Sequence, residues 1–246
     1  MVEIIRNKEY RLYVLDGHGT CCSDDPRLAP SVLSHPLAGG GMSSPQSSSM
    51  TIPQNIVVER DAKLDMVLLV MSGVSCDVKL DVKLAGEGAE ANIYGAYVCG
   101  GEERVRIAVD MHHDLPHCNS RQLFKGIAGG TSKVDFYGKI IVAKDAQRTE
   151  AYQENHNILL TDGAKVDTKP QLEIYADDVK CSHGATIGRL NEEEQFYMRS
   201  RGITLEDAKV LQMISFIAPV LENIEDEAER DRVTAQFESA IRNLVR

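Results

Sequence analysis

The sequence has no tryptophan and only 5% aromatic residues, which disfavours a sugar-stacking platform. Lys and Arg number 27 against 37 Asp and Glu, giving a formal net charge of −10. That balance excludes nonspecific binding to nucleic acid or an anionic membrane, since both need clustered cations. No apolar run approaches the roughly eighteen residues of a membrane-spanning helix. The opening MVEIIRNKEYR carries charges where a signal peptide needs an apolar stretch, so a cytoplasmic protein is expected. There is no C-x-x-C, no H-E-x-x-H, no G-x-S-x-G and no G-x-x-x-x-G-K-[ST]. Common structural zinc sites, zinc-protease chemistry, the nucleophile elbow and Walker-type nucleotide binding therefore have no sequence support.

The six cysteines are Cys21, Cys22, Cys76, Cys99, Cys118 and Cys181. In a chain of 246 residues, long enough to bury a core, they need not form disulfides and are expected reduced. Residues 1–51 are expected to be an irregular lead-in, with one short alternation around Leu12 and Val14. Its Gly/Pro/Ser-rich stretch includes GGGMSSPQSSS. His18, Cys21 and Cys22 lie there without a paired ligand motif.

From Ile52 the character changes. Short β-type runs follow at Ile56–Val58, Met66–Met71, Val78–Leu84, Ala91–Val98, Val105–Met111, Leu123–Ala128, Val134–Val142, Asn157–Leu160 and Leu172–Ala176. Several alternate with period two, as Val78, Leu80, Val82 and Leu84 do against Asp77, Lys79, Asp81 and Lys83. Gly86-Glu-Gly88, Gly100-Gly101, Gly129-Gly130 and Lys169-Pro170 read as turns. The core over 52–188 is thus all-β. Periodicity alone leaves sandwich, barrel and solenoid open, because no short motif repeats at a fixed interval and hairpin dipeptides are scarce.

After Gly188 the period becomes helical, so 189–246 forms a C-terminal helical domain. Asn191 with Glu194, and Thr204 with Asp207, have the form of N-terminal caps. Pro219 is expected to kink or restart the second helix, and a third, amphipathic one is expected over Glu225–Arg246.

The densest group of potential ligands is MHHDLPHC, with His112, His113, Asp114, His117 and Cys118. Pro116 argues against the helix that would place His113 and His117 together. His156 has only Glu154 near it in sequence. Lys169–Ile187 concentrates more: an X-Pro turn, an alternating strand, the acidic Asp177-Asp178, then Cys181 and His183. Two positions apart in an extended chain, Cys181 and His183 project to one side, the arrangement a shared metal or partner-facing site requires.

The run from His113 through DLPHCNSRQLFKG, then VDFYGKIIVAKDAQRTEAYQENHNILLTDGAKVDTKPQLEIYADDVKCSHGATIG and FYMRSRGI, resembles the SufB/SufD family of the SUF iron–sulfur cluster assembly system. The resemblance spans about residues 52–246, and CSHGAT at 181–186 is closest to the SufD branch. It implies a right-handed parallel β-helix with helical segments, and a scaffold subunit rather than an enzyme. It also implies pairing with a SufB-like subunit through the β-helix, and a SufC-like ATPase bound by the C-terminal helices, with no nucleotide site in this chain. A transient iron–sulfur cluster would form at the SufB interface, with His183 facing a cysteine of SufB and Cys181 beside it. Family members are longer and begin with a helical region that residues 1–50 do not match, so a shortened relative is expected. Two other readings stand beside this one. An inactive relative would only dimerise. A β-helix polysaccharide enzyme would need paired carboxylates on one face, whereas the adjacent Asp177 and Asp178 point to opposite sides of a strand.

Overall fold

The structure, a computed structural model, describes residues 2–15, 20–23 and 52–245, with only the backbone for 20–23. Among the described residues, thirteen strands precede three helices. They are β1 (Val2–Ile5), β2 (Lys8–Leu15), β3 (Thr20–Ser23), β4 (Asn55–Val58), β5 (Lys63–Val70), β6 (Cys76–Leu84), β7 (Glu90–Cys99), β8 (Arg104–His113), β9 (Asn119–Ala128), β10 (Lys133–Val142), β11 (Glu150–Leu159), β12 (Lys165–Ile174) and β13 (Lys180–Gly188). The helices are α1 (Glu192–Ser200), α2 (Leu205–Leu221) and α3 (Glu227–Val245).

From β4 onward consecutive strands alternate between two sheets. The first runs β1-β4-β6-β8-β10-β12 and the second β13-β11-β9-β7-β5-β2-β3. Every pairing is parallel except β2 with β3. Each turn of the coil thus lays one strand on each sheet, which is a parallel β-solenoid. Arg104, Lys133 and Lys165 stack in register, so successive turns take 29 residues (133 − 104) and then 32 (165 − 133). This uneven period explains why no repeat is visible in the sequence. The tight links between the sheets need no hairpins, which explains the scarcity of hairpin dipeptides.

Inward positions alternate with outward ones on both sheets. Val78, Leu80, Val82 and Leu84 of β6 face Leu64, Met66, Leu68 and neighbours across one apolar interior. Phe124 and Phe136 meet there with ring centroids 4.9 Å apart. A second core lies outside the second sheet. Leu12, Val14, Val67, Leu69, Ala96, Val98 and Ile127 are covered by Val210, Met213, Ile217, Val220, Val233, Phe237 and Ile241 of α2 and α3. The helices therefore seal the outer face of the early turns.

Asn191 accepts from the Glu193 and Glu194 amides, and Thr204 from that of Asp207, so both caps form as their sequence spacing predicts. Pro219 does not restart α2, which runs from Leu205 to Leu221 with the proline in its last turn. There the missing N–H leaves the Ser215 carbonyl without its helical donor. Pro170 is a second correction. It lies in the middle of β12, not in a turn. β12 is the edge of the first sheet, so the missing N–H leaves no neighbouring strand short of a donor. The strand expected around Leu12 and Val14 is β2. The Gly/Ser-rich stretch and His18 lie outside the described residues, as do the side chains of Cys21 and Cys22.

Candidate functional site

The last turn of the solenoid is β12 and β13, each the edge of its sheet. Beyond them the interior opens, rimmed by exposed Ile174, Tyr175 and Ile187. Cys181 and His183 lie on β13. Cys181 stacks on Ala151, which is fully buried, and packs against the interior core. Gln153, the register partner of His183, is also fully buried and lies against Gly138 of the opposite sheet, whose added Cβ would fall 2.2 Å from Gln153 Nε2. Strand parity therefore puts Cys181 and His183 on the inward face, above the open end. Cys181 is half-buried and His183 exposed. The same-side pair expected from spacing is present, and its face is the mouth of the solenoid.

Beneath the pair the interior changes chemistry. Stacked in register along one inward column are Met66, Ile93, Gln122, Gln153 and His183. The neighbouring columns run Leu68, Gly95, Phe124, Asn155, Ala185 and Val70, Tyr97, Gly126, Asn157, Ile187. Apolar residues fill these positions in the early turns and amides in the later ones. Gln153 Nε2 donates to Gln122 Oε1 at 2.9 Å, Asn157 Nδ2 to Asn155 Oδ1 at 2.7 Å, and Tyr97 to Asn157 Oδ1. Gln122 Nε2, Gln153 Oε1, Asn155 Nδ2 and Thr168 Oγ1 remain buried without a partner. Each such atom costs about 1–3 kcal/mol. Sequence reading missed these residues. The QENHN spacing of Gln153, Asn155 and Asn157 was their only signal, and a hydrophobic-alternation test does not register it.

Burial raises the Cys181 thiol above its ordinary range, only partly offset by a hydrogen bond from the Ala151 backbone, so it is a thiol at neutral pH. Cys76, Cys99 and Cys118 are pushed up by burial as well, and all four cysteines with described side chains are free. As ligand types, thiolate and imidazole suit iron–sulfur chemistry. No group of three or more His, Cys, Asp or Glu positioned to hold a metal occurs among the described residues. Cys181 and His183 are thus two potential donors on one face, too few by themselves to complete a metal site.

The MHHDLPHC residues disperse. His112 faces outward, 3.6 Å from Asp81. His113 is buried in the interior with Nε2 2.9 Å from Ser120 Oγ, and desolvation pushes its pKa down to about 4. His117 occupies a turn at φ +62°, and Cys118 is buried with its thiol donating to Gly86 O. His156 lies on the outer face between Glu154 and Thr186. The Asp178 backbone is tied to the turn below, its carbonyl accepting from the Arg148 amide and its amide donating to Gln147 Oε1. Asp177 and Asp178 are both exposed, in the bend between β12 and β13.

The model of a family described as "SUF system FeS cluster assembly, SufBD core domain" matches residues 44–216. Iron-sulfur cluster assembly protein SufD of Escherichia coli is 47% identical over 127 residues, 52% of this chain and 30% of that protein. A SufBD family protein of Synechocystis is 45% identical over 109 residues, 44% of this chain and 24% of that one. Another, from Mycobacterium leprae, is 30% identical over 187 residues, 73% of this chain and 48% of that one. The chain spans less than half the length of each of these relatives. No described helix is long and apolar enough to cross a membrane.

Proposed function

This chain belongs to the SUF system FeS cluster assembly SufBD core family, and from that premise we propose that it is a cytoplasmic, non-enzymatic scaffold subunit that offers half of a cluster-building site at the mouth of its solenoid. The observation that carries this is the inward-facing Cys181–His183 pair on an edge strand with no further strand beyond it among the described residues. The other half comes from a SufB-like subunit docked on the open edges of β12 and β13. Those edges present unpaired backbone groups and the apolar Ile174, Tyr175 and Ile187. A SufC-like ATPase docks on the C-terminal helices, where Phe196, Tyr197 and Leu211 are exposed, and supplies the nucleotide chemistry.

The cluster is cargo. His183, exposed on the edge strand, offers an imidazole nitrogen. Cys181 offers a thiolate once iron or a partner's cation stabilises the anion that burial disfavours. Ala151 beneath Cys181 keeps the floor of the site small and apolar.

Copurification from the native cell tests the partners: SufB- and SufC-like subunits should accompany the tagged chain. In the reconstituted complex His183→Ala should abolish cluster formation while leaving the circular dichroism spectrum unchanged. Cluster formation at the wild-type rate would overturn the site. The same open edges would also accept a second copy of this chain. Light scattering distinguishes that homodimer, the dimerising-only reading, from the heterocomplex.

A further inference from the structure

We infer that Gln153 is a positioning residue for His183: its side-chain carbonyl, without a partner in this structure, takes a hydrogen bond from one imidazole nitrogen when the exposed ring turns down onto it, and leaves the other nitrogen as a free lone pair at the solenoid mouth. The inference deepens the reading above and rests on it for the purpose of the lone pair, though not for the bond itself.

Three observations carry it. First, Gln153 lies directly beneath His183 in the register of β11 and β13, so their backbones are about 4.8 Å apart and their side chains share the inward face. Second, the Gln153 amide is held from the other side. Its Nε2 donates to Gln122 Oε1 at 2.9 Å, which assigns the remaining atom, Oε1, as an acceptor. Gly138 across the interior leaves the space in which that amide lies. Third, Gln153 Oε1 is fully buried and has no partner, and the next group along the column is an imidazole, which in its neutral form carries one N–H.

A requirement for volume alone does not explain the two glutamines, because Met66 and Ile93 fill the same column in the preceding turns. A hydrogen-bond relay that ends on the imidazole does. The consequence is chemical. A histidine whose one N–H is fixed on a carbonyl has a defined tautomer, a defined ring plane and a more basic second nitrogen. A solvated imidazole at a sheet edge has none of these.

The test is nitrogen NMR on the full chain labelled at histidine, at a pH where the ring is neutral, with His183 assigned from the loss of its signals in His183→Ala. One tautomer should dominate in the wild type. Gln122→Met with Gln153→Met removes the relay as a pair, so neither amide is left stranded, and unbranched methionine keeps the volume. This double variant should melt at or above the wild-type temperature, while His183 reverts to the mixed tautomers of a free imidazole. Gln153→Glu keeps an acceptor, and Gln122 needs only an amide flip to donate to it, so the single tautomer should survive. A mixed tautomer in the wild type overturns the inference whatever the variants do, as does a tautomer unchanged in the folded double variant. Cluster formation is not part of this readout. A fixed tautomer with normal assembly by His183→Ala would refute the site and leave the relay. A mixed tautomer with assembly lost in His183→Ala would do the reverse.

Discussion

The early turns of the solenoid and its last turns are built on one backbone and filled differently. In β5 and β7 the inward residues include Leu64, Met66, Leu68, Ile93 and Tyr97, all buried, and α2 and α3 cover the outside of the same strands. In β11 they are Ala151, Gln153, Asn155 and Asn157, and in β13 Cys181, His183, Ala185 and Ile187, next to two uncovered edges. The first region is closed on both faces by apolar packing. The second carries buried polar atoms without partners and an open mouth. Apolar packing is therefore concentrated at one end of the molecule, and uncovered strand edges lie at the other.

Substitutions that treat the two ends alike should break this comparison. The largest contrast is expected between Phe124→Ala and Ile187→Ala. Phe124 is fully buried against Phe136 and should lose about 3–5 kcal/mol by urea denaturation. Ile187 is 45% exposed on the edge strand and should lose under about 1 kcal/mol in the free chain. Next comes Gly95→Ala, whose Cβ would fall 2.1 Å from the Phe124 ring and should cost about 1–3 kcal/mol through overpacking.

A comparable effect comes from acid. His113 is buried neutral with its pKa near 4, against 6.5 for the unfolded chain. Between those values the unfolded state binds the extra proton, so stability falls as pH drops from about 6.5 toward 4. The loss should be on the order of 2 kcal/mol, read as a falling melting temperature, and His113→Gln should flatten that slope. The smallest effect is Gly184→Ala on the edge strand, where no atom lies within 4 Å of the added carbon. It should stay within about 0.5 kcal/mol. A cost there as large as at Gly95 would contradict the picture of an uncovered end.

The same contrast decided what the sequence could reveal. β6 announces itself because Val78, Leu80, Val82 and Leu84 alternate with charges. β11 begins at Glu150 but reads as a strand only from Asn157, since Gln153 and Asn155 occupy inward positions with polar side chains. β12 begins at Lys165 and not at Leu172, because Thr168 and Pro170 interrupt the apolar pattern on its inward face. The solenoid itself was legible only through the family resemblance, its turns being too unequal in length to repeat visibly. At the site, spacing alone placed Cys181 and His183 on one side. Which side that is, and what lies beneath, depends on a register some thirty residues long (183 − 153), which local pattern does not encode.

The central claim is that Cys181 and His183 form an incomplete site that a partner completes. Anaerobic reconstitution with iron and sulfide, followed by absorption and Mössbauer spectroscopy, tests it on three samples: the chain alone, its complex with SufB- and SufC-like subunits, and that complex carrying His183→Ala. The account predicts a stable cluster only in the wild-type complex. A cluster held by the isolated chain, or formed undiminished in the His183→Ala complex, would contradict it.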